Sequence, residues 1–222
     1  MQVNFQTYHY KQPFPLELGG TLPDLHLAYQ TIGKLNEKGD NVVWICHAFT
    51  GSHDVADWWQ GLVGSGKLFN PETHFIVCAN ILGSHYGSSG PLTVNPSTGK
   101  PYFHDFPKVT IRDVVNSFEI LRKQLQIKKI KICIGGSLGG QQAVEWGIMH
   151  PNLFEQLILV ATNAVHSPWG IAFNESQRMS IEVDPTWKES NPEAGLEGMK
   201  AARATALISY RNYETYHITQ TR

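Results

Sequence analysis

The chain has 222 residues, a length that suits one large domain or two small ones. Its 18 Lys and Arg residues nearly balance 19 Asp and Glu residues, so the clustered positive charge that binds nucleic acid is not expected. Hydrophobic residues make up 41% of the chain, which excludes a disordered protein, and no apolar segment approaches the ~20 residues that span a bilayer. We expect a soluble globular protein without nucleic-acid or membrane partners.

The first 17 residues lack the basic start and apolar segment of a secretion signal, so a cytoplasmic location is the expected default. Cys46, Cys78 and Cys133 each lie in or at the end of an apolar segment, and no C-x-x-C pair occurs. We predict three reduced, buried thiols that form no disulfide and bind no metal.

Four early segments have the character of strands. Leu25–Ile32 alternates apolar and polar residues, which predicts a half-buried strand at an antiparallel edge of a sheet. Val42–Cys46, 75–80 and 130–134 are nearly continuous apolar segments. Such segments are typical of strands that are covered on both faces.

Two helices are predicted around the last of these strands. Segment 110–126 has apolar residues at helical spacing, and Thr110 with Asp113 matches a capping box. Segment 138–150 is the second helix, stopped by the proline that follows it, and 156–162 is expected to be the next strand. A helix between two strands is typical of a parallel crossover.

The chain changes character after Asn163. Segments 171–183 and 194–210 have helical patterns, and no further apolar strand is predicted. We therefore predict the α/β fold class with a mostly parallel sheet, in which residues 1–162 form the core and residues 163–222 form a helical segment.

Residues 135–139 read Gly-Gly-Ser-Leu-Gly and match the G-x-S-x-G nucleophile elbow. The pattern directly follows a predicted strand and directly precedes a predicted helix. The glycines are needed because the strand must turn abruptly into the helix while the serine hydroxyl stays exposed. Ser137 is the predicted nucleophile; the alternative is that Ser137 only caps the helix.

A second candidate is the loop 47–51, which follows the strand Val42–Cys46. In hydrolase-like sheets this loop supplies one backbone NH of an oxyanion hole, and the residue after the nucleophile, here Leu138, supplies the other. We predict that the NH groups of Phe49 and Leu138 have these roles. The alternative for Phe49 is that its side chain only fills apolar space.

Two other patterns are not expected to be sites. Segment 61–67 spells G-x-x-x-x-G-K, but Leu68 stands where a phosphate-binding loop needs Ser or Thr. Histidines such as His47, His53 and His74 show neither helical i, i+4 spacing nor a companion cysteine cluster, so no metal site is predicted.

A serine nucleophile needs a base, and in this type of fold the acid and then the histidine follow the serine in the chain. Only one predicted strand follows Ser137, and His150, His166, Asp184 and His217 do not lie at predicted strand ends. We therefore expect this chain to be an amino-terminal portion of a longer enzyme that is inactive by itself. An open sheet edge is expected at the last strand, with poor solubility or self-association.

Several motifs occur in a defined order along most of the chain. They are 47–51 (HAFTG), 56–59 (ADWW), 87–91 (GSSGP), 110–113 (TIRD), 135–140 (GGSLGG) and 171–175 (IAFNE). In this set the chain resembles the homoserine O-acetyltransferases of the α/β-hydrolase superfamily. It departs at Phe49, where Leu is usual, at Leu138, where Met is common, and at His85, where Cys is common.

This resemblance implies an α/β-hydrolase fold with flanking helices, the start of a helical lid, and carboxyl-terminal strands that are missing here. It implies acetyl transfer from acetyl-CoA, a co-substrate and not a bound cofactor, to the hydroxyl of L-homoserine, in methionine biosynthesis. Ser137 would carry the acetyl group, and Phe49 and Leu138 would donate the oxyanion hole. Arg203 and Tyr210 match lid residues that hold the amino-acid end of homoserine.

The resemblance also implies that the triad Asp and His lie beyond the matched portion and that the complete protein is a homodimer. For Arg203 and Tyr210 the alternative is an exposed helical Arg and a packed Tyr. For the function, a succinyl donor, a serine acceptor, a serine hydrolase of the same fold and a noncatalytic remnant all remain open.

Overall fold

A computed structural model of the chain describes residues 3–220, with side chains from residue 5 onward. The chain divides into two compact units, one ending at Ala164 and the other beginning at Val165. This division lies two residues after the predicted boundary between 162 and 163.

The first unit contains ten strands within the described residues, six of which form one sheet. In chain order the strands are β1 (Val3–Tyr10), β2 (Phe14–Pro15), β3 (Thr21–Leu22), β4 (Leu25–Ile32), β5 (Val42–Cys46), β6 (Phe75–Ala79), β7 (Val94–Asn95), β8 (Lys100–Pro101), β9 (Ile130–Gly136) and β10 (Phe154–Val160). The order across the large sheet is β1-β4-β6-β5-β9-β10, and β2-β3 and β7-β8 form two short hairpins.

The large sheet is mostly parallel. Strands β6, β5, β9 and β10 run parallel to one another, whereas β1 is antiparallel to β4 and β4 is antiparallel to β6. Parallel strands need crossover connections, and helices supply two of them here. The predicted α/β class with a mostly parallel sheet is thus confirmed.

Six helices lie within the described residues. They are α1 (Val55–Trp58), α2 (Ile111–Gln124), α3 (Leu138–Met149), α4 (Pro168–Glu182), α5 (Leu196–Ser209) and α6 (Tyr213–Gln220), with a short 3₁₀ turn at Phe103–Asp105. Within residues 3–220, none of these helices combines the length and the apolar character needed to cross a membrane.

Side chains of β5 alternate between two hydrophobic clusters because the strand is covered on both faces. On one face Trp44 packs against Phe118 of α2 and Trp146 of α3, with ring centroids 5.8 and 4.9 Å apart. On the other face Val43 and Ile45 belong to a second buried cluster. This double coverage explains the continuous apolar segment in the sequence.

The predicted capping box of α2 is confirmed. The Thr110 hydroxyl accepts a hydrogen bond from the Asp113 amide (3.2 Å), and the Asp113 carboxylate accepts one from the Thr110 amide (2.9 Å). The second oxygen of Asp113 accepts a hydrogen bond from the Glu17 amide (2.8 Å). The box therefore also anchors the amino-terminal segment to the helix.

Two strand predictions were wrong in part. Strand β4 has the predicted bounds, but it is not an edge: β1, which sequence analysis missed, pairs along its whole length, so β4 is almost completely buried. Strand β10 begins and ends two residues earlier than predicted, and most of its residues are exposed at the other edge of the sheet. The hydrophobic pattern of a segment predicts a strand and its expected burial. The pairing of that strand depends on which other segment of the chain lies beside it.

All three cysteines are free and buried, as predicted. The sulfur atoms of Cys46 and Cys133 are 3.9 Å apart, about twice the ~2.05 Å of a disulfide bond. Burial raises the pKa of the Cys78 thiol. This sulfur therefore stays protonated and unreactive at neutral pH.

The second unit is helical, as predicted, with α6 as an unpredicted addition. Helices α4 and α5 pack closely at Gly198, where an added Cβ would lie 2.4 Å from the carbonyl oxygen of Ser180. Asp184 accepts hydrogen bonds from the Thr186 hydroxyl (2.7 Å) and from the amide of Gly198 (2.8 Å), and these bonds lower its pKa. Asp184 therefore has a structural role at the start of α5.

Candidate active site

The turn from β9 into α3 is made by a single residue, Ser137. Its backbone has φ 53° and ψ −121°, a conformation that costs a residue with a Cβ roughly 1–3 kcal/mol. Ser137 is exposed, and its hydroxyl makes no capping hydrogen bond to α3. Ser137 occupies the N-cap position, but its side chain does not cap α3, so the alternative that the serine only caps the helix is wrong. The residue instead lies exposed at the carboxyl end of β9.

Thr162 supports this turn from the next strand connection. Its hydroxyl donates a hydrogen bond to the Ser137 carbonyl oxygen (2.7 Å), and the Ser137 amide donates to the Val160 carbonyl oxygen (3.0 Å). Sequence analysis did not identify Thr162, because nothing in its neighbourhood marks it. Its position at the end of the predicted strand 156–162 is the only available signal.

Glycines allow the elbow to pack directly against backbone. An added Cβ on Gly135 would lie 2.2 Å from the carbonyl oxygen of Gly139, and one on Gly139 would lie 2.0 Å from that of Cys46. Real Cβ atoms do not approach so closely, so only glycine fits. This close approach brings the first turn of α3 against the end of β5, where the loop 47–51 begins.

The loop 47–51 is held by His47, which is fully buried. The Nε2 atom of His47 lies 3.1 Å from the backbone amide of Ile81, and its Nδ1 atom lies 2.8 Å from the carbonyl oxygen of Ala48. Because an amide can only donate, Nε2 must accept, and Nδ1 carries the hydrogen that it donates to Ala48. This neutral tautomer links the loop to the residues that follow β6.

His47 is a positioning residue that sequence analysis considered only as an imagined metal ligand. The available signal was its place directly after a buried strand, in the loop predicted to shape the oxyanion hole. Burial lowers the pKa of His47, and burial also lowers that of His53 in the same loop region. Both rings are therefore held in the neutral form.

We expect stability to depend on pH through these two rings. The unfolded chain protonates histidine below about pH 6.5, whereas the folded state resists protonation. Their contribution is complete above pH 6.5 and decreases as the pH falls below that value, by at most about 1.4 kcal/mol per pH unit for each ring. Urea unfolding at pH 7, 6 and 5 measures this loss.

In the His47→Gln variant we expect lower stability at pH 7 but a weaker dependence on pH. The matched control is His74→Gln, which changes a partly exposed histidine at the start of β6 and should keep the wild-type slope. Identical slopes in the wild type and His47→Gln would contradict a buried, neutral His47.

The two residues predicted to form the oxyanion hole lie in the two segments that pack together here, the start of α3 and the loop 47–51. Leu138 is the first residue of α3, where backbone amides have no acceptor within the helix. Phe49 lies in the loop held by His47, and 71% of its side chain is exposed. The alternative that Phe49 fills apolar space is therefore wrong, although its role as a donor stays a prediction.

The predicted substrate-binding residues lie in the second unit. Arg203 is an exposed residue of α5, and Tyr210 follows the end of that helix with 71% of its side chain exposed. They are seven positions apart, close to two helical turns, so they project from the same side of the helix axis. The alternative of a packed Tyr210 is wrong, and both polar groups are available to a ligand.

Comparisons with known proteins agree with this geometry. The sequence model of a family described as having the alpha/beta hydrolase fold matches residues 41–207. The homoserine O-acetyltransferase of Cyclobacterium marinum is 46% identical over 216 residues. That match covers 97% of this chain and 62% of the relative.

Solved structures include two types of similar protein. A homoserine O-acetyltransferase from Bacillus anthracis superposes with a TM-score of 0.90 at 29% identity, covering 100% of this chain and 64% of that one. Esterase E22 superposes with a TM-score of 0.88 at 27% identity, covering 98% and 64%. The chain thus spans less than two thirds of the length of the proteins that it matches.

Proposed function

We propose, because the chain belongs to the family with the alpha/beta hydrolase fold, that the complete protein transfers an acetyl group from acetyl-CoA to the hydroxyl of L-homoserine. The observation that carries this proposal is the exposed Ser137 in a strained turn between β9 and α3. The similarity to homoserine O-acetyltransferases over 97% of the chain supports the choice of reaction.

In the first half-reaction the Ser137 oxygen attacks the thioester carbonyl carbon of acetyl-CoA. The carbon–sulfur bond then breaks, coenzyme A leaves as the thiol, and the acetyl group remains as a serine ester. In the second half-reaction the homoserine hydroxyl oxygen attacks this ester and regenerates Ser137. A base takes the proton of the attacking hydroxyl each time and returns it to the leaving group.

Negative charge develops on the carbonyl oxygen in both half-reactions. The backbone NH groups of Phe49 and Leu138 would donate hydrogen bonds to it, and removal of one such donor typically costs about 3–4 kcal/mol of transition-state stabilisation. The packing of Gly139 against Cys46 and the hydrogen bonds of His47 hold the two segments that carry these donors.

We propose that the base and its acid partner are not among the described residues. The one strand that follows Ser137 within the described residues, β10, ends at Val160, and the next three residues, 161–163, include neither an Asp nor a His. An unactivated serine is a weak nucleophile. Residues 1–222 expressed alone should therefore show no acetyl transfer, and steady turnover by that chain would place the base within it.

For homoserine binding we propose Arg203 and Tyr210, which the resemblance assigned. A guanidinium pairs with a carboxylate through two parallel hydrogen bonds, and homoserine carries such a group. The support for this assignment is that both residues are exposed on one side of α5.

Replacing Arg203 with Gln in the complete protein should raise the KM for homoserine about 10- to 100-fold, because charged hydrogen bonds worth roughly 1.5–3 kcal/mol are lost. The rate of acylation by acetyl-CoA should stay the same, since that half-reaction does not use the amino acid. Arg178→Gln is the matched control, because Arg178 is an exposed arginine of α4 that pairs with Glu175. A raised KM in both variants, or in neither, would contradict the assignment.

A second candidate function is ester hydrolysis, which the similarity to esterase E22 favours. Incubation of the complete protein with acetyl-CoA, with and without homoserine, separates the two functions. We expect release of coenzyme A thiol at steady state only when homoserine is present. Release without an amino acid acceptor would favour hydrolysis, and parallel assays with succinyl-CoA and L-serine identify the donor and acceptor.

We also propose a pathway, a location and an oligomeric state. The similarity to homoserine O-acetyltransferases supports a role in methionine biosynthesis, in which the complete protein would act on small molecules in the cytoplasm. We further propose that the complete protein is a homodimer, which light scattering at several concentrations would test.

A further inference from the structure

Two histidines face each other across the antiparallel pair β1 and β4. His9 and His26 are direct register partners, and their rings stack with centroids 4.0 Å apart. Asp24 lies directly before β4, and its Oδ2 atom is 2.7 Å from the Nε2 of His9 and 3.9 Å from the Nε2 of His26. This cluster is made by strand pairing, because residues 9 and 26 are far apart in sequence.

We propose that His9, Asp24 and His26 bind one divalent transition-metal ion, with Zn²⁺ as the best match to two imidazoles and a carboxylate. Each residue offers one ligand atom, and the three atoms lie within 4.8 Å of one another. Two histidines with one carboxylate, and water at a fourth position, are a frequent ligand set of Zn²⁺.

The distances fit an ion after small side-chain rotations. In a tetrahedral site with bonds of about 2.1 Å, neighbouring ligand atoms are about 3.4 Å apart. The observed separations of 2.7 and 3.9 Å lie on either side of that value. The third separation, between the ligand atoms of the two histidines, is at most 4.8 Å.

Backbone hydrogen bonds hold the two histidines in position before an ion binds. The His26 amide donates a hydrogen bond to the Ser89 hydroxyl (2.8 Å), and the Ser89 amide donates to the His26 carbonyl oxygen (2.8 Å). His9 is fixed by the ladder between β1 and β4. A site on paired strands loses little conformational entropy when it binds an ion.

The site is also accessible to solvent. Between 36% and 39% of each ligand side chain is exposed, so an ion and its water can reach the three atoms.

Binding replaces the hydrogen that His9 and Asp24 share. In the ion-free pair the His9 Nε2 donates its hydrogen to the carboxylate. In the bound form the neutral ring carries its hydrogen on Nδ1, and Nε2 offers a lone pair to the ion. The ion thus joins β1 to β4, and it should stabilise the folded protein because the unfolded chain does not preserve the cluster.

Isothermal titration of the complete protein with Zn²⁺, after treatment with a chelator, tests the proposal. We expect one ion bound per chain, and at least a tenfold lower affinity in His26→Gln. His74→Gln is the matched control, since His74 is also a partly exposed histidine of this unit but lies outside the cluster. Asp24→Asn, a second ligand variant, covers the case in which His26→Gln does not fold.

A second measurement uses stability instead of binding. Zn²⁺ should raise the melting temperature of the wild type and of His74→Gln, and should leave that of His26→Gln and Asp24→Asn unchanged. Equal binding and equal melting shifts in all four proteins would show adventitious binding elsewhere and would overturn the proposal. Absence of binding to the wild type would mean that the cluster is only an ion pair.

Discussion

Replacing Ser137 with Ala in the complete protein should lower kcat/KM for acetyl transfer by at least about 10⁴-fold, because loss of a serine nucleophile removes the covalent route. No acetyl-enzyme should form, which mass spectrometry after mixing with acetyl-CoA would show as the missing mass of one acetyl group. Alanine keeps the Cβ and hence the strain at φ 53°, so the folded structure should persist.

Ser97→Ala is the control for this experiment, because Ser97 is an exposed serine in the turn between β7 and β8. It should transfer acetyl groups at the wild-type rate. If Ser137→Ala still formed an acetyl-enzyme, another residue would be the nucleophile and the proposed function would lose its main support. If it melted far below the wild type, the loss of activity would instead reflect unfolding.

The Gly139→Ala variant should be destabilised by about 3 kcal/mol, the upper part of the range for overpacked sites. Its Cβ would lie 2.0 Å from the Cys46 carbonyl oxygen and 2.9 Å from that of His47. These are backbone atoms of a buried strand end, so α3 must move away from the loop 47–51. We also expect acetyl transfer to fall sharply, because that movement separates the predicted donors Phe49 and Leu138.

Gly147→Ala is the matched control, since it makes the same substitution in the same helix. There the Cβ would meet the Cδ1 atom of Leu157 at 2.7 Å, and that side chain is partly exposed at the sheet edge and can turn away. Alanine also favours the helix by about 1 kcal/mol, so the net change should stay within about 1 kcal/mol of zero. Urea unfolding measures both variants, and equal losses would contradict the proposed tight packing at Gly139.

Local sequence pattern was sufficient for elements whose signals lie within a few residues. The bounds of β5 and the capping box of α2 followed from apolar content and from the Thr110–Asp113 spacing, because burial on two faces and helix capping depend on nearby residues. The elbow at Ser137 was predicted for the same reason. Glycines on both sides of a serine, placed between a strand and a helix, describe a local backbone requirement.

Pairing across the sheet could not be predicted in this way. The sequence of β1 mixes aromatic and polar residues, and its role became visible only where it lies along β4 and makes that strand an interior one. Likewise, β10 has an apolar sequence but lies exposed at the edge within the described residues. Which segment pairs with or covers a strand depends on residues elsewhere in the chain, and the strand's own residues do not identify that segment.

The amino-acid sequence by itself determined the tight turn at Ser137, the α/β class and the similarity to homoserine O-acetyltransferases. Only the tertiary structure decided that a neutral His47 joins the loop 47–51 to Ile81, that Thr162 supports the Ser137 carbonyl, and that His9 meets His26 beside Asp24. Each of these contacts joins segments that are distant in the chain. Such contacts form through strand register and side-chain packing, which a local pattern of residues does not encode.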